Sequence, residues 1–338
     1  MKTNRKANPP APPFDKGGGR GDFGKRGLGK WSARLVLALL GAASLAACAS
    51  GPPPAGAPDH VRQMERLSES ASKQLRRDDL ARAEKGFASL LKLARSYDMG
   101  GYEADALMGL ARVERLRERA VAPRVLHRVE RAARLSGEAG DIRREAESRR
   151  LLGEILIEAG DLARARKETK ASIVLSSRAD DQVGAAISGG NLALIDKREG
   201  NEGKAAAGLR DTLEKLSKAD PASPGLSVVR MNLGLLLLRR GEIAEARTLL
   251  EGALGADRHA GDRRGIAADL EALARLEETA GKSETAIDYL RRAARVQTSI
   301  GGKTRSRDLL ARAVSLARAG GFTALLDEIN AEIDDSFR

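Results

Sequence analysis

The sequence predicts an all-α solenoid of stacked helix pairs over residues 59–338, and three observations carry this prediction. This part of the chain is rich in Ala, Leu, Arg and Glu, which favour helices, and its apolar residues recur three and four positions apart. Strand-like alternation of β-branched residues is nearly absent from it. A period of about 40 residues, which is typical of helical-repeat proteins, is set by four turn glycines spaced 40, 41 and 40 residues apart: Gly160, Gly200, Gly241 and Gly281.

Residues 1–47 are expected to be a lipoprotein signal sequence with a disordered N-terminal extension. The first thirty or so residues are rich in Pro and Gly and lack apolar periodicity. Residues 35–47 then form an apolar run of thirteen, preceded by basic residues. Such a run fits a secretory signal and is too short for the ~20 residues of a membrane-spanning helix. We therefore expect this segment to be removed from the mature chain.

Cys48, the only cysteine among the 338 residues, directly follows the apolar run. A single cysteine excludes a disulfide within the chain. The four residues that end on it, Leu-Ala-Ala-Cys, resemble the lipobox of bacterial lipoproteins. The resemblance implies that the Cys48 sulfur carries a diacylglyceryl group, and that Ala49 after it favours delivery to the outer membrane, facing the periplasm. The alternative is a buried cysteine in a short hydrophobic helix.

Residues 48–58, the lipidated cysteine and the Pro-rich stretch after it, are expected to be an extended tether. Loss of the signal also changes the charge of the chain. The formal net charge is +12, of which residues 1–47 carry +7. The mature part mixes both signs and has few aromatic residues, so that no nucleic-acid-binding surface is expected.

The repeat register extends beyond the four glycines in both directions. Asp78 takes the turn position two periods before Gly160, and a degenerate repeat with its turn near Arg119 lies between them. Gly320 or Gly321 is one period after Gly281. The sequence therefore predicts about seven repeats and fourteen helices.

Small residues surround each turn in a fixed pattern. An alanine lies five residues after it at Ala83, Ala165, Ala205, Ala246 and Ala286. A small residue lies seven residues before it at Ala71, Ala111, Gly153, Ala193, Gly234 and Ala274. Small side chains at both places let two antiparallel helices approach closely. The spacing resembles the tetratricopeptide repeat, in a variant longer than the common 34-residue form, and the resemblance implies a right-handed superhelical solenoid. HEAT repeats, which have a similar period, are the alternative.

The sequence predicts no catalytic, cofactor-binding or metal-binding site. Its histidines, His60, His127 and His259, are far apart and belong to no ligand motif. Residues 186–190 faintly resemble a nucleophile elbow, but that motif needs a strand-to-helix turn, and here a helix is expected.

The tetratricopeptide resemblance implies a concave surface lined by the first helix of each repeat. The residues expected to contact a partner there are Asn191, Leu194, Arg198, Val228, Met231, Asn232, Leu235, Leu238 and Arg239. Further residues assigned to this surface are Glu147, Arg150, Glu154, Ile157, Lys197, Glu271, Arg275 and Glu278. Met231, Leu235 and Leu238 are expected to form an exposed apolar stripe. The two asparagines are expected either to bond a bound peptide backbone or to satisfy buried groups of the solenoid.

These features together favour a lipid-anchored adaptor that binds another protein or a peptide in the bacterial cell envelope. An enzyme or small-ligand sensor built on the same scaffold is the alternative from another class, and a structural spacer is a third.

Overall fold

The structure of the chain is a computed structural model that describes residues 57–117 and 122–337. Cys48, the expected signal sequence, most of the expected tether and the turn expected near Arg119 lie outside the described residues.

Within these ranges the chain forms fourteen α-helices and no strand, as the repeat register predicts. The helices are α1 (Asp59–Arg76), α2 (Leu80–Ser96), α3 (Gly100–Arg117), α4 (Pro123–Glu138), α5 (Ile142–Ala159), α6 (Leu162–Arg178), α7 (Gln182–Arg198), α8 (Glu202–Ala219), α9 (Gly225–Arg239), α10 (Ile243–Ala260), α11 (Arg263–Thr279), α12 (Ser283–Ser299), α13 (Lys303–Gly320) and α14 (Thr323–Phe337). They form seven antiparallel pairs, each of which is one repeat.

The turn residues expected from the sequence have a left-handed backbone. The four glycines have φ angles of 87° at Gly160, 86° at Gly200, 80° at Gly241 and 74° at Gly281. Asp78 has a φ of 62°, and Gly321 rather than Gly320 is the last turn residue, with a φ of 71°. A left-handed residue reverses the chain and lets the next amides bond to carbonyls at the end of the first helix. In the fifth repeat, for example, the Glu242 amide donates to the Leu237 carbonyl at 3.0 Å.

The small residues on both sides of the turn lie where the two helices of a repeat meet. All five alanines of the second helices are fully buried. A methyl group added at Gly153 would lie 2.6 Å from Thr169 Oγ1, and one at Gly234 would lie 2.9 Å from Leu250 Cγ. Close approach of the helices therefore depends on small side chains, as the repeat pattern predicts.

Capping of the second helices agrees only in part with the residue types after the turns. Asp161 accepts a hydrogen bond from the Arg164 amide at 3.1 Å and so caps α6. Asn201 and Glu242 occupy the same position before α8 and α10, but neither side chain makes a capping bond. In these two repeats the left-handed glycine marks the turn without help from a side-chain cap.

The solenoid curves so that the first helices lie on its inner side. First helices of neighbouring repeats pack together, as α3 does against α5 and α9 against α11, and no comparable contact joins second helices in the described part of the chain. Curvature brings the first repeat close to the sixth, since Arg264 Nη2 lies 2.7 Å from Asp78 Oδ1 across 186 residues of sequence. None of the described helices combines the length and the apolar character that a bilayer span needs.

Candidate binding groove on the inner face

The first helices line the inner side of the solenoid, which we call the inner groove. It has two clusters of charged side chains with a central segment on α7 and α9 between them. The N-terminal network consists of Arg112, Arg115, Glu147, Arg150, Glu154 and Glu158. The C-terminal network consists of Glu271, Arg275, Glu278, Arg305 and Arg312.

The N-terminal network joins α3 to α5 by direct ion pairs. Arg112 Nη2 lies 2.6 Å from Glu147 Oε1, and Arg115 lies 2.5 Å from Glu158 and 3.4 Å from Glu154. Burial opposes the charged state of Arg115, but the carboxylates of Glu158 and Glu154 outweigh burial and raise its pKa above the usual range. The three arginines and three glutamates of the N-terminal network therefore neutralise one another.

The C-terminal network joins α11 to α13 in the same way. Glu271 pairs with Arg275 at 2.5 Å and also with Arg305, while Arg312 lies 2.6 Å from Glu278. Burial favours the neutral form of Glu271, but Arg275 and Arg305 outweigh burial and lower its pKa. Three arginines face two glutamates here, so this network keeps one positive charge in excess.

The apolar part of the central segment is less accessible than the sequence predicts. Met231 is 1% exposed and Leu238 is 8% exposed, and Val228 and Leu194 are buried as well. The expectation of an exposed apolar stripe is wrong for these side chains, because α9 packs against α11 and they belong to the main hydrophobic core. Leu235 alone among the predicted apolar residues is half-buried, packed against the edge of that core.

The two predicted asparagines lie one repeat apart and share an unusual feature. Asn191 Nδ2 donates to Glu154 Oε1 at 3.4 Å, and Asn232 Nδ2 donates to the Val228 carbonyl at 3.0 Å. Because both acceptors are oxygens without a proton to give, these bonds fix which end of each amide is nitrogen. Each Oδ1 atom is then left buried without a hydrogen-bond partner. Both asparagines therefore satisfy a buried group, and both leave one acceptor unused.

Lys197 lies in the last turn of α7, between the two networks. It is half-buried and makes no hydrogen bond or ion pair with any residue in the described part of the chain. Burial, together with the nearby positive charges of Arg239 and Arg198, lowers its pKa to about 8. The carboxylate of Glu202, which lies near Lys197, already pairs with Arg239 at 2.8 Å.

A separate cavity of about 680 Å³ lies outside the inner groove, between α6, α7 and α8. It is lined by the apolar side chains of Ile173 and Leu192 and by Asp211 and Lys215, which pair at 2.8 Å. Residues 186–190, the faint nucleophile-elbow match, lie inside α7. The described ranges contain no group of three or more His, Cys, Asp or Glu residues placed to hold a metal ion.

Comparison with known proteins supports the repeat assignment. The tetratricopeptide-repeat family model matches residues 226–299, which span α9 to α12. Residues 226–299 are therefore tetratricopeptide repeats, and the rest of the described chain has the same fold of antiparallel helix pairs. No curated protein sequence gives a significant match.

Solved structures share the helical-repeat fold of this chain at low sequence identity. The apo quorum sensor NprR from B. thuringiensis is 14% identical, with a TM-score of 0.59 over 83% of this chain and 78% of that one. A Rap protein complexed with Competence and Sporulation Factor is 8% identical, with a TM-score of 0.60 over 83% and 77%. NprR in complex with its cognate peptide NprX is 13% identical, with a TM-score of 0.55 over 77% and 78%.

Several charged residues of the inner groove were not predicted from the sequence. Arg112 and Arg115 precede the degenerate turn of the second repeat, and Arg305 and Arg312 lie in the seventh repeat, which matches the pattern poorly. The only available signal was the recurrence of Arg and Glu about one period apart. Arg198 and Arg239, which were predicted, are exposed, and their contact with a partner stays a prediction.

Proposed function

We propose that the chain is a lipid-anchored adaptor of the bacterial cell envelope that binds a segment of a partner protein in the inner groove. The observation that carries the binding proposal is the pair of unused Oδ1 acceptors of Asn191 and Asn232. A buried acceptor without a donor costs about 1–3 kcal/mol. Asn191 is 0% and Asn232 is 1% exposed in the empty groove. The backbone N–H groups of an extended segment would supply the missing donors at successive repeats once the two side chains turn toward it on binding.

Two proteins with a similar fold support a peptide as the ligand. NprR is complexed with its cognate peptide NprX, and a Rap protein is complexed with Competence and Sporulation Factor. Identity is at most 14% in these comparisons. These complexes support only the binding of a peptide by a helical-repeat fold, and the partner of this chain is set by its own groove residues.

The groove proposal is tested by Asn232→Ala. Loss of the bond to the Val228 carbonyl and removal of the unsatisfied acceptor act in opposite directions on stability, so the melting temperature should change little. Capture of envelope proteins by the full-length chain should fall by at least tenfold. Asn201→Ala is the matched control, because Asn201 is exposed and makes no capping bond. Equal capture by the two variants would show that Asn232 is not part of the binding site.

The anchoring proposal rests on the match of Cys48 to a lipobox and on the short apolar run before it. Two or more acyl chains hold a protein stably on a membrane, whereas a single chain does so only marginally. Wild-type protein should therefore incorporate labelled palmitate and partition into detergent, and Cys48→Ser should lose both properties. Fractionation should place the wild type in the outer membrane, and membrane association of Cys48→Ser at the wild-type level would refute the anchor.

A further inference from the structure

The positive charge of the inner groove is concentrated near its centre. The N-terminal network is neutral, the C-terminal network has one cation in excess, and Arg239 is engaged by Glu202. Lys197 between them makes no hydrogen bond or ion pair with a described residue, and Glu202, whose charge favours its protonated form, is already paired with Arg239. Besides the excess cation of the C-terminal network, the groove therefore has a surplus of positive charge at Lys197.

An unpaired ammonium in a half-buried position raises the free energy of the empty groove. Transfer of a charged group away from water is costly unless an opposite charge or hydrogen-bond acceptors replace the lost hydration. Its neighbours Arg239, Arg198 and Arg275 are all cations and make the position less favourable still. An anion placed beside Lys197 would relieve both effects.

The surroundings of Lys197 indicate what kind of anion fits. Leu194 and Leu238 beside it are buried in the core, so the apolar side chain of the central segment that a ligand can contact is the half-buried Leu235 of α9. The inner face continues on both sides, through α5 toward the N-terminus and through α11 toward the C-terminus. A segment that lies along the groove would therefore pass Lys197 rather than end there.

We propose that Lys197 binds the carboxylate of an internal aspartate or glutamate of the partner segment, flanked in that segment by apolar residues. This inference rests on the proposed function, since it assumes that the inner groove holds a peptide. It adds the chemistry of the ligand. One acidic side chain of the partner segment pairs with the Lys197 ammonium group, and main-chain N–H groups of the segment donate to the Oδ1 atoms of Asn191 and Asn232.

The test uses an array of twelve-residue peptides of random sequence with acetylated and amidated ends, so that side chains provide the only carboxylates. The full-length chain in detergent is applied as wild type, Lys197→Met and Lys204→Met. Lys204 is an exposed lysine of α8 and is the matched control. Wild type and Lys204→Met should select peptides with an acidic residue between apolar ones, and replacement of that residue by its amide should weaken binding at least tenfold.

Lys197→Met should bind the acidic and amide peptides equally, and Lys197→Glu should prefer peptides with a basic residue at the same position. Methionine keeps most of the stem and removes the unpaired charge, so the melting temperature should not fall. Peptide binding that depends on Asn232 but shows no acidic preference would overturn this inference and leave the proposed function standing. Failure of every peptide to bind the wild type would overturn both.

Discussion

At the scale of single residues, the structure contains a buried carboxyl pair that the repeat pattern does not explain. Asp257 of α10 and Asp269 of α11 are both buried and hydrogen-bonded to each other. Gly265 makes this approach possible, because a methyl group there would lie 1.8 Å from Asp257 Oδ2. Burial, and then the charge of the neighbouring carboxylate, raises the pKa of Asp269 to about 9. The pair therefore holds a proton at neutral pH.

The pKa of Asp269 predicts how stability depends on pH at this site. An aspartate has a pKa of about 3.9 in the unfolded chain, so the folded state binds the proton more tightly. The contribution of protonated Asp269 to the stability of the folded state is complete below about pH 4 and is lost as the pH rises toward about 9. Asp269→Asn, which keeps a donor toward Asp257 without a titrating proton, should therefore stabilise the protein more at pH 8 than at pH 5.

Urea unfolding of wild type and Asp269→Asn at the two pH values measures this difference. If the pair shares a proton, the difference in the free energy of unfolding between the two proteins should change by on the order of 1 kcal/mol per pH unit. Carboxylates far from the pair affect both proteins alike and cancel, whereas Asp257, whose pKa burial raises to about 6, titrates in the same range and contributes to the measured difference. A stability difference that is constant between pH 5 and pH 8 would contradict the shared proton.

At the scale of helices and turns, local patterns were enough to predict most of the fold. Turn glycines, the alanine five residues later and the small residue seven residues earlier are set by backbone and packing geometry within one repeat. Exposure on the inner face was not predictable in the same way, because it depends on how tightly successive repeats curve. Met231 and Leu238 have the spacing of a surface stripe, but contact between α9 and α11 buries them. The pairing of Arg115 with α5 likewise required the packing of two repeats.

Replacement of glycine by alanine should have opposite effects on stability at two positions of the fifth repeat, one in the left-handed turn and one inside a helix. Gly241 has a φ of 80°, and an alanine there should destabilise the protein by about 1 kcal/mol. Gly255 is exposed in α10 with open space around it, and an alanine there should stabilise the helix by about 0.5–1 kcal/mol. Chemical denaturation followed by circular dichroism measures both. Destabilisation of similar size at both positions would contradict the left-handed turn.

At the scale of the whole molecule, the curvature of the seven stacked helix pairs encloses the inner groove. The ion pair between Asp78 and Arg264 brings the first repeat against the sixth, so the inner groove is bounded on more than one side. Ion pairs at both ends of the groove neutralise most of its charge, and Lys197 and the two asparagines remain with unused bonding capacity. Glu278 Oε1 and Arg305 Nε of the C-terminal network are likewise buried without a hydrogen-bond partner. A partner is therefore expected to contact the central two repeats and the inner face from there to α13.

The most direct test of this account is site-specific photo-crosslinking in cells that produce the full-length chain. A benzophenone side chain is placed at Leu235, on the inner face, or at Val174, which is 58% exposed on α6. Binding in the groove predicts a discrete protein adduct from Leu235, its loss when Asn232→Ala is added, and no adduct from Val174. An adduct from Val174 alone, or an adduct from Leu235 that is unchanged by Asn232→Ala, would contradict binding of a partner in the inner groove.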